Sequence, residues 1–299
     1  MSQTATISGR TLMFGVGATK AGTSWLYSYL AGHPQCHLRS VKELHFFDAI
    51  DEGRRDKQAA QFEAEREMLT RRAETGAGSP EKRAERAQRI ADLGTFADVL
   101  RAGDEAAYLA YLEAGAAADS RLIADITPGY ALLSEGRLKR MAAMAPDTRF
   151  VYLLRDPVER LWSHVRMIAR RRAATGEDIT ERAGRILRRV LRGEEDHIAR
   201  RGDYRAVLGR LRAAVAPSRL FTAFYEELFS DQGVARLCAF LGLSPAPAPL
   251  AERVHEGVPV PMSDAQRRAA ADWLRPQYDY VAASLGPVPS VWRAHMAGV

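Results

Sequence analysis

Residues 11–30, TLMFGVGATKAGTSWLYSYL, constrain this chain more than any other stretch. Leu12, Met13, Phe14 and Val16 form a short apolar run broken by Gly15 and Gly17, and Trp25, Leu26, Tyr29 and Leu30 then recur at helical spacing. A buried strand therefore feeds a helix through a turn of small residues. The first turn of such a helix carries N–H groups without intrahelical acceptors and the positive end of the helix dipole, which together make an anion site. Lys20 adds a full positive charge, and the glycines and alanines of the turn let a phosphate approach the backbone.

The order of residues differs from the nucleotide-binding G-x-x-x-x-G-K-[ST] loop, in which Lys follows the last Gly and a hydroxyl follows the Lys to hold magnesium. Here Lys20 precedes Gly22 by two positions, and Ala21 stands where that hydroxyl is needed. Two alternatives stay open on the residues alone. Asp125, at the end of a second apolar run, could serve as the metal-binding carboxylate of a magnesium-dependent kinase or NTPase. The loop could also belong to a catalytically silent nucleotide- or polyanion-binding module.

Length and composition allow one large α/β domain of 1–299, since 46% hydrophobic residues supply an ample core. A net charge of +6 suits an anionic ligand without choosing one. Cys36 and Cys238 lie far apart in sequence and in no metal-ligand spacing, so neither a disulfide framework nor a zinc site follows. The N-terminus has no basic segment followed by an apolar one, and no window reaches the ~18 apolar residues of a membrane span. These features, with the Ala- and Arg-rich composition, point to a cytoplasmic, bacterial protein.

Strands are expected near residues 12, 36, 123, 150 and 221, separated by helices, which is the pattern of a parallel α/β sheet. The uninterrupted run from Arg149 to Arg155 fits a strand covered on both faces, and Asp156-Pro157 should cap and open the helix that follows. Residues 51–118 are rich in Ala, Arg and Glu. They read as a helical insertion, either flanking the site or forming a solvated hairpin. Residues 263–299 read as a helical tail. Val41-Lys42-Glu43-Leu44-His45-Phe46-Phe47-Asp48 reads as a loop with a Lys-Glu pair and a His beside two aromatic rings, a combination costly to bury unless used or paired.

GVGATKAGTSWL resembles the 5′-phosphosulfate loop of sulfotransferases that use 3′-phosphoadenosine 5′-phosphosulfate (PAPS). Arg155-Asp156-Pro157-Val158-Glu159-Arg160-Leu161-Trp162-Ser163 resembles the same family's 3′-phosphate site, and Lys42-Glu43-Leu44-His45-Phe46-Phe47-Asp48 is similar to an acceptor-side segment of its heparan-type and carbohydrate members. Asp125-Ile126-Thr127-Pro128-Gly129-Tyr130 resembles another acceptor-side segment, with Ile126 where the family usually has Lys. Arg201-Gly202-Asp203-Tyr204 and Tyr225-Glu226-Glu227-Leu228 resemble segments that carry helix packing. The nucleotide loop near the family's C-terminus has only a poor counterpart in Arg253-Val254-His255-Glu256-Gly257-Val258-Pro259.

The resemblance implies a P-loop-like three-layer fold and in-line transfer of a sulfuryl group from PAPS to a hydroxyl or amine, leaving 3′,5′-bisphosphoadenosine, without a metal. It implies that Lys20 stabilises the leaving phosphate and that Lys20, Ala21, Gly22, Thr23, Ser24 and Trp25 bind the 5′ end of the donor. Arg155 and Ser163 would bind its 3′-phosphate. Glu43 would be the general base, with His45 as the next candidate and Lys42 in support. Phe46, Phe47, Asp125, Thr127, Pro128 and Tyr130 would line the cleft for a small-molecule or glycan acceptor, and no nucleic acid is expected.

Overall fold

The computed structural model describes residues 7, 9–248 and 260–297. Five strands, β1 (Thr11–Gly17), β2 (Cys36–Leu38), β3 (Leu122–Ile126), β4 (Thr148–Leu154) and β5 (Leu220–Phe224), form one sheet in the order β2-β3-β1-β4-β5. All pairings are parallel, with Leu12 opposite both Ile123 and Thr148, and Phe150 opposite Leu220. The strands fall where the apolar runs predict them, because a parallel sheet covered on both faces needs continuous apolar sequence. Leu12, Met13, Phe14, Val16 and Phe150 to Leu154 are buried accordingly.

In the first half of the chain lie helices α1 (Thr23–Ala31), α2 (Phe46–Asp51), α3 (Arg55–Glu74), α4 (Pro80–Ala102), α5 (Glu105–Glu113) and α6 (Glu135–Ala142). Then come α7 (Pro157–Arg172), α8 (Ile179–Leu191), α9 (Asp196–Ala199), α10 (Tyr204–Ala214), α11 (Tyr225–Leu228), α12 (Asp231–Leu241), α13 (Asp264–Leu285) and α14 (Ser290–Ala297). The chain visits β2 and β3 on one side of β1 and then crosses to β4 and β5 on the other. In such sheets the crevice at the carboxyl ends of the strands beside this reversal receives ligands. The turn after β1 and the residues after β4 both sit there.

The helical region between β2 and β3 is divided in character. α3 and the first half of α4 present charges to solvent, whereas Leu93, Phe96 and Leu100 of α4 and Tyr108 and Leu112 of α5 are buried. Asp92 of α4 accepts from Arg39, from the Ser40 N–H and from the Ser40 hydroxyl, which fixes the chain just before Lys42. The region thus braces the site-bearing segment.

The segment expected as a loop at 41–48 is a helix from Phe46 onward. Phe46 and Phe47, expected to wall an acceptor cleft, are 0% exposed. Phe46 stacks on Tyr108 at 4.3 Å, and Phe47 meets Phe14, Tyr108 and Tyr130 edge-on. The physical reason is amphipathicity: once α2 forms, these rings fall on the side facing β1. Phe47→Ala is therefore expected to destabilise the protein by about 3–5 kcal/mol in chemical denaturation, as a deleted core ring does. A loss below about 1 kcal/mol would take the ring out of the core.

Candidate active site

Gly22 caps α1 with φ of 92°, a left-handed conformation that suits glycine, and supplies no side-chain cap to the N–H groups of the first turn. A Cβ at Gly22 would also lie 2.8 Å from the Tyr225 ring, so the position admits nothing larger. Ala21 and Thr23 are buried, Ser24 is half-buried, and Trp25 is buried in a stack with Tyr29 at 5.2 Å and against Phe229. The backbone around 20–24 and the Ser24 hydroxyl are what this turn offers a ligand.

Arg155, immediately after β4, reaches across to the same turn. Its Nη1 donates to the Lys20 carbonyl at 3.3 Å, and its guanidinium lies 5.0 Å from the centre of the Tyr225 ring. Tyr204 fixes the Arg155 backbone by donating to its carbonyl at 2.6 Å and accepting from its N–H at 3.1 Å. Asp156 caps α7 by accepting from the Glu159 N–H, and Pro157 occupies the first helical position, as the sequence predicts. Ser163 lies two turns along α7 and is half-buried. Three residues further along the same helix face stands Arg166, which sequence reasoning missed although its spacing from Glu159 and Ser163 was there to be read.

The electrostatics follow from this convergence. Burial holds the Lys20 ammonium below its usual range, and the charges of Arg155, Lys42, Arg166 and Arg171 add to the effect. Burial and the neighbouring Arg155 charge also lower Arg166, whose Nε has no hydrogen-bond partner. The carboxylates against this group are Glu159, 3.7 Å from Arg155, and Glu43, 3.2 Å from Lys42. A cation cluster so incompletely neutralised fits a ligand carrying several negative charges.

The acceptor-side segment meets the donor-side loop through Lys42, whose ammonium donates to Ser24 Oγ at 2.6 Å. Glu43 stands at the surface, with its side chain 43% exposed, between Lys42 and the His45 Nε2 at 3.9 Å. Lys20, Glu43 and His45 are the three non-glycine residues with positive φ among the described residues. Backbone strain of this kind concentrates where a surrounding structure holds functional groups in place. His45 Nδ1 lies 2.8 Å from Asp48 Oδ2, which also accepts from Arg54 at 2.8 Å. A Cβ at Gly129 would come within 3.2 Å of the imidazole, so that glycine makes room for His45.

The DITPGY segment is placed differently from its sequence reading. Asp125, Thr127, Pro128 and Tyr130 are buried. Asp125 Oδ1 accepts from Thr127 Oγ1 at 2.7 Å, and Oδ2 accepts from Tyr108 at 2.7 Å and Tyr130 at 2.8 Å. Tyr130 accepts in turn from the Phe46 N–H at 3.0 Å. Burial holds the Asp125 carboxyl above its usual range despite these three donors. Both oxygens are consumed, so the residue tethers α2 and α5 to β3 and presents no carboxylate to a metal.

Residues 13–247 match the Sulfotransferase family. The chain belongs to this family, whose members are PAPS-dependent transferases. No curated protein matches it. Among solved structures, the sulfotransferase from Alicyclobacillus acidocaldarius aligns with a TM-score of 0.61 and 22% identity over 95% of this chain and 99% of that one. The sulfotransferase domain from the curacin biosynthetic pathway is 20% identical, with a TM-score of 0.43 over 81% of this chain and 76% of that one. The α/β fold with a five-stranded parallel sheet flanked by helices is that of the family. Arg253 to Pro259, the counterpart of the family's nucleotide loop, lies outside the described residues. Among the described residues, no helix is long and apolar enough to cross a membrane.

The His45–Asp48 contact has a defined pH range. Burial alone would lower His45, but the Asp48 hydrogen bond and the charges of Asp48 and Glu43 outweigh it and raise the imidazole above 6.5. Burial alone would raise Asp48, but the His45 bond and charge and Arg54 outweigh it and hold the carboxyl below 3.8. The pair is at full strength between these two ordinary values. It fades as pH rises through the elevated His45 value or falls through the depressed Asp48 value. An NMR titration should show His45 titrating above 6.5 in the native protein and lower in Asp48→Asn; an unmoved midpoint would remove Asp48 as the cause.

Proposed function

We propose that this protein moves the sulfuryl group of PAPS to an acceptor hydroxyl, with Glu43 as general base and Lys20 stabilising the leaving phosphate. One observation carries the reading. The Arg155 guanidinium donates to the Lys20 carbonyl, so the two family-like segments form a single cation cluster at the uncapped start of α1, with Glu43 tied to it through Lys42 and Ser24.

PAPS supplies the activated sulfuryl group and carries the negative charges that the cluster lacks. The N–H groups of Gly22, Thr23 and Ser24 and the Lys20 ammonium bind its 5′ end, while Arg155, Ser163 and Arg166 bind the 3′-phosphate. Lys20, kept dehydrated and repelled by its neighbours, gains most when negative charge builds nearby, which favours the transition state over the ground state. Glu43, exposed at the mouth, accepts the acceptor's proton. Lys42 and His45 flank its two sides and fix where it points. His45, raised and bonded to Asp48, serves better as a cation beside Glu43 than as the base. The chain is read as one domain, with α3 to α5 as an insertion between β2 and β3.

Lys20→Ala should lower turnover by at least about 10²-fold, the scale of removing one transition-state donor, and near-normal turnover would free Lys20 from this role. Glu43→Gln should abolish transfer while leaving the affinity for 3′,5′-bisphosphoadenosine intact in isothermal titration. Arg155→Ala should weaken that ligand far more than adenosine 5′-phosphosulfate, which has no 3′-phosphate. Equal losses would mean that Arg155 does not touch the 3′ end.

A further inference from the structure

Beside His45 and Asp48 lies a cavity of about 820 Å³ bounded by α2, the turn at 129–134, α6 and residues 196–201. Its walls are dominated by charge, and each carboxylate has a cationic partner, although Asp48 Oδ1 is buried without a hydrogen-bond partner. Asp48 is held by His45 and Arg54, Glu52 by Arg54, Asp51 by Arg137, and Asp196 faces Arg200 at 3.7 Å. Arg140 pairs with Glu105 at 2.9 Å. Arg201 remains. Its Nη1 donates to the His197 carbonyl at 3.0 Å, and among the described residues no carboxylate comes within 4 Å of it.

This guanidinium is half-buried, and burial lowers its pKa even with Asp48 and Glu52 in its surroundings. Its field is felt next door: His164 is pushed down to about 2 by burial and by the charges of Arg160 and Arg201. Holding an unpaired guanidinium partly out of water is costly unless a ligand's anionic group completes it. A planar fork of donors suits a carboxylate or a sulfate ester. The remaining surface offers Leu132 and Leu133 as its apolar patches and no Phe, Tyr or Trp ring, which suits a compact polar molecule better than a long acyl chain or a flat phenol.

We infer that this cavity holds the acceptor and that Arg201 selects acceptors carrying an acidic group, such as a carboxylate or an existing sulfate ester, besides the reacting hydroxyl. The inference rests on the sulfotransferase reading above and adds the substrate class. Arg201 acts on binding and orientation, and the proton still leaves to Glu43.

The test uses radiolabelled PAPS and a small-molecule extract of the host organism, split on an anion-exchange resin into a retained acidic fraction and a neutral and basic flow-through. The protein should label products chiefly from the acidic fraction. Arg201→Gln should lose at least about tenfold of that rate, the scale of one charge-assisted hydrogen bond, while Arg201→Lys restores a good part of it. Affinity for 3′,5′-bisphosphoadenosine and the thermal midpoint should not move in either variant, since Arg201 lies outside the donor site. Label arising chiefly from the flow-through, or an unaltered rate in Arg201→Gln, overturns the inference and leaves the sulfotransferase reading standing. Bisphosphoadenosine binding without labelled product from either fraction overturns the catalytic reading, and this inference with it.

Discussion

Lys20, Lys42, Arg155 and Arg166 are held close together at the carboxyl ends of β1 and β4 with too few carboxylates to neutralise them. That arrangement opposes folding, because like charges repel and burial penalises each of them. The rest of the fold has to hold it in place. Asp156, fully buried, anchors the start of α7 by accepting from the Glu159 N–H and from Tyr278 at 2.9 Å, while its own N–H donates to Glu226 at 2.8 Å. His295 of α14 stands 3.0 Å from the same carboxylate. The C-terminal helices therefore clamp the one residue whose neighbour, Arg155, closes the cation cluster.

On the other side of the sheet the same task falls to Asp125. Three hydroxyl donors converge on it, two from the turn after β3 and one from α5, and through Tyr130 it holds the N–H of Phe46. Phe46 begins the helix that ends the strained Glu43–His45 segment. The two buried aspartates thus do parallel work. One fixes the strand end that carries Arg155, and the other fixes the start of the helix that follows Glu43 and His45. Each lies beneath a group it positions and out of reach of a ligand.

Much of this was legible in the sequence. The five apolar runs marked the five strands, and Asp156-Pro157 marked the start of α7 to the residue. The strand, turn and helix of 11–31 were recognisable because the apolar period changes across a turn of small residues. What escaped notice depended on which way a side chain points. Phe46, Phe47, Asp125, Thr127, Pro128 and Tyr130 read as cleft residues from the family resemblance, yet they are buried in the core. Arg166 and Arg201 escaped for the opposite reason: arginine is so frequent in this chain that one unpaired guanidinium cannot be told from a paired one until the carboxylates are placed. α14 falls within the helical tail read at 263–299, but its packing went unread: its Trp292 is wholly buried against Tyr204, Phe224 and Tyr278.

The Arg201-Gly202-Asp203-Tyr204 segment, which in sequence resembles a packing element, joins the two ends of the site. Arg160 of α7 is 1% exposed, and its guanidinium occupies the space a Cβ at Gly202 would need. Only glycine lets this turn lie flat against α7. Two residues on, Tyr204 exchanges two hydrogen bonds with the Arg155 backbone; one residue before, Arg201 faces the cavity beside Asp48. A shift of the turn would therefore move Arg155 and Arg201 together, since packed interiors transmit displacement and do not absorb it. Arg155 and Arg201 are in this way set by a single contact between a buried guanidinium and a residue with no side chain.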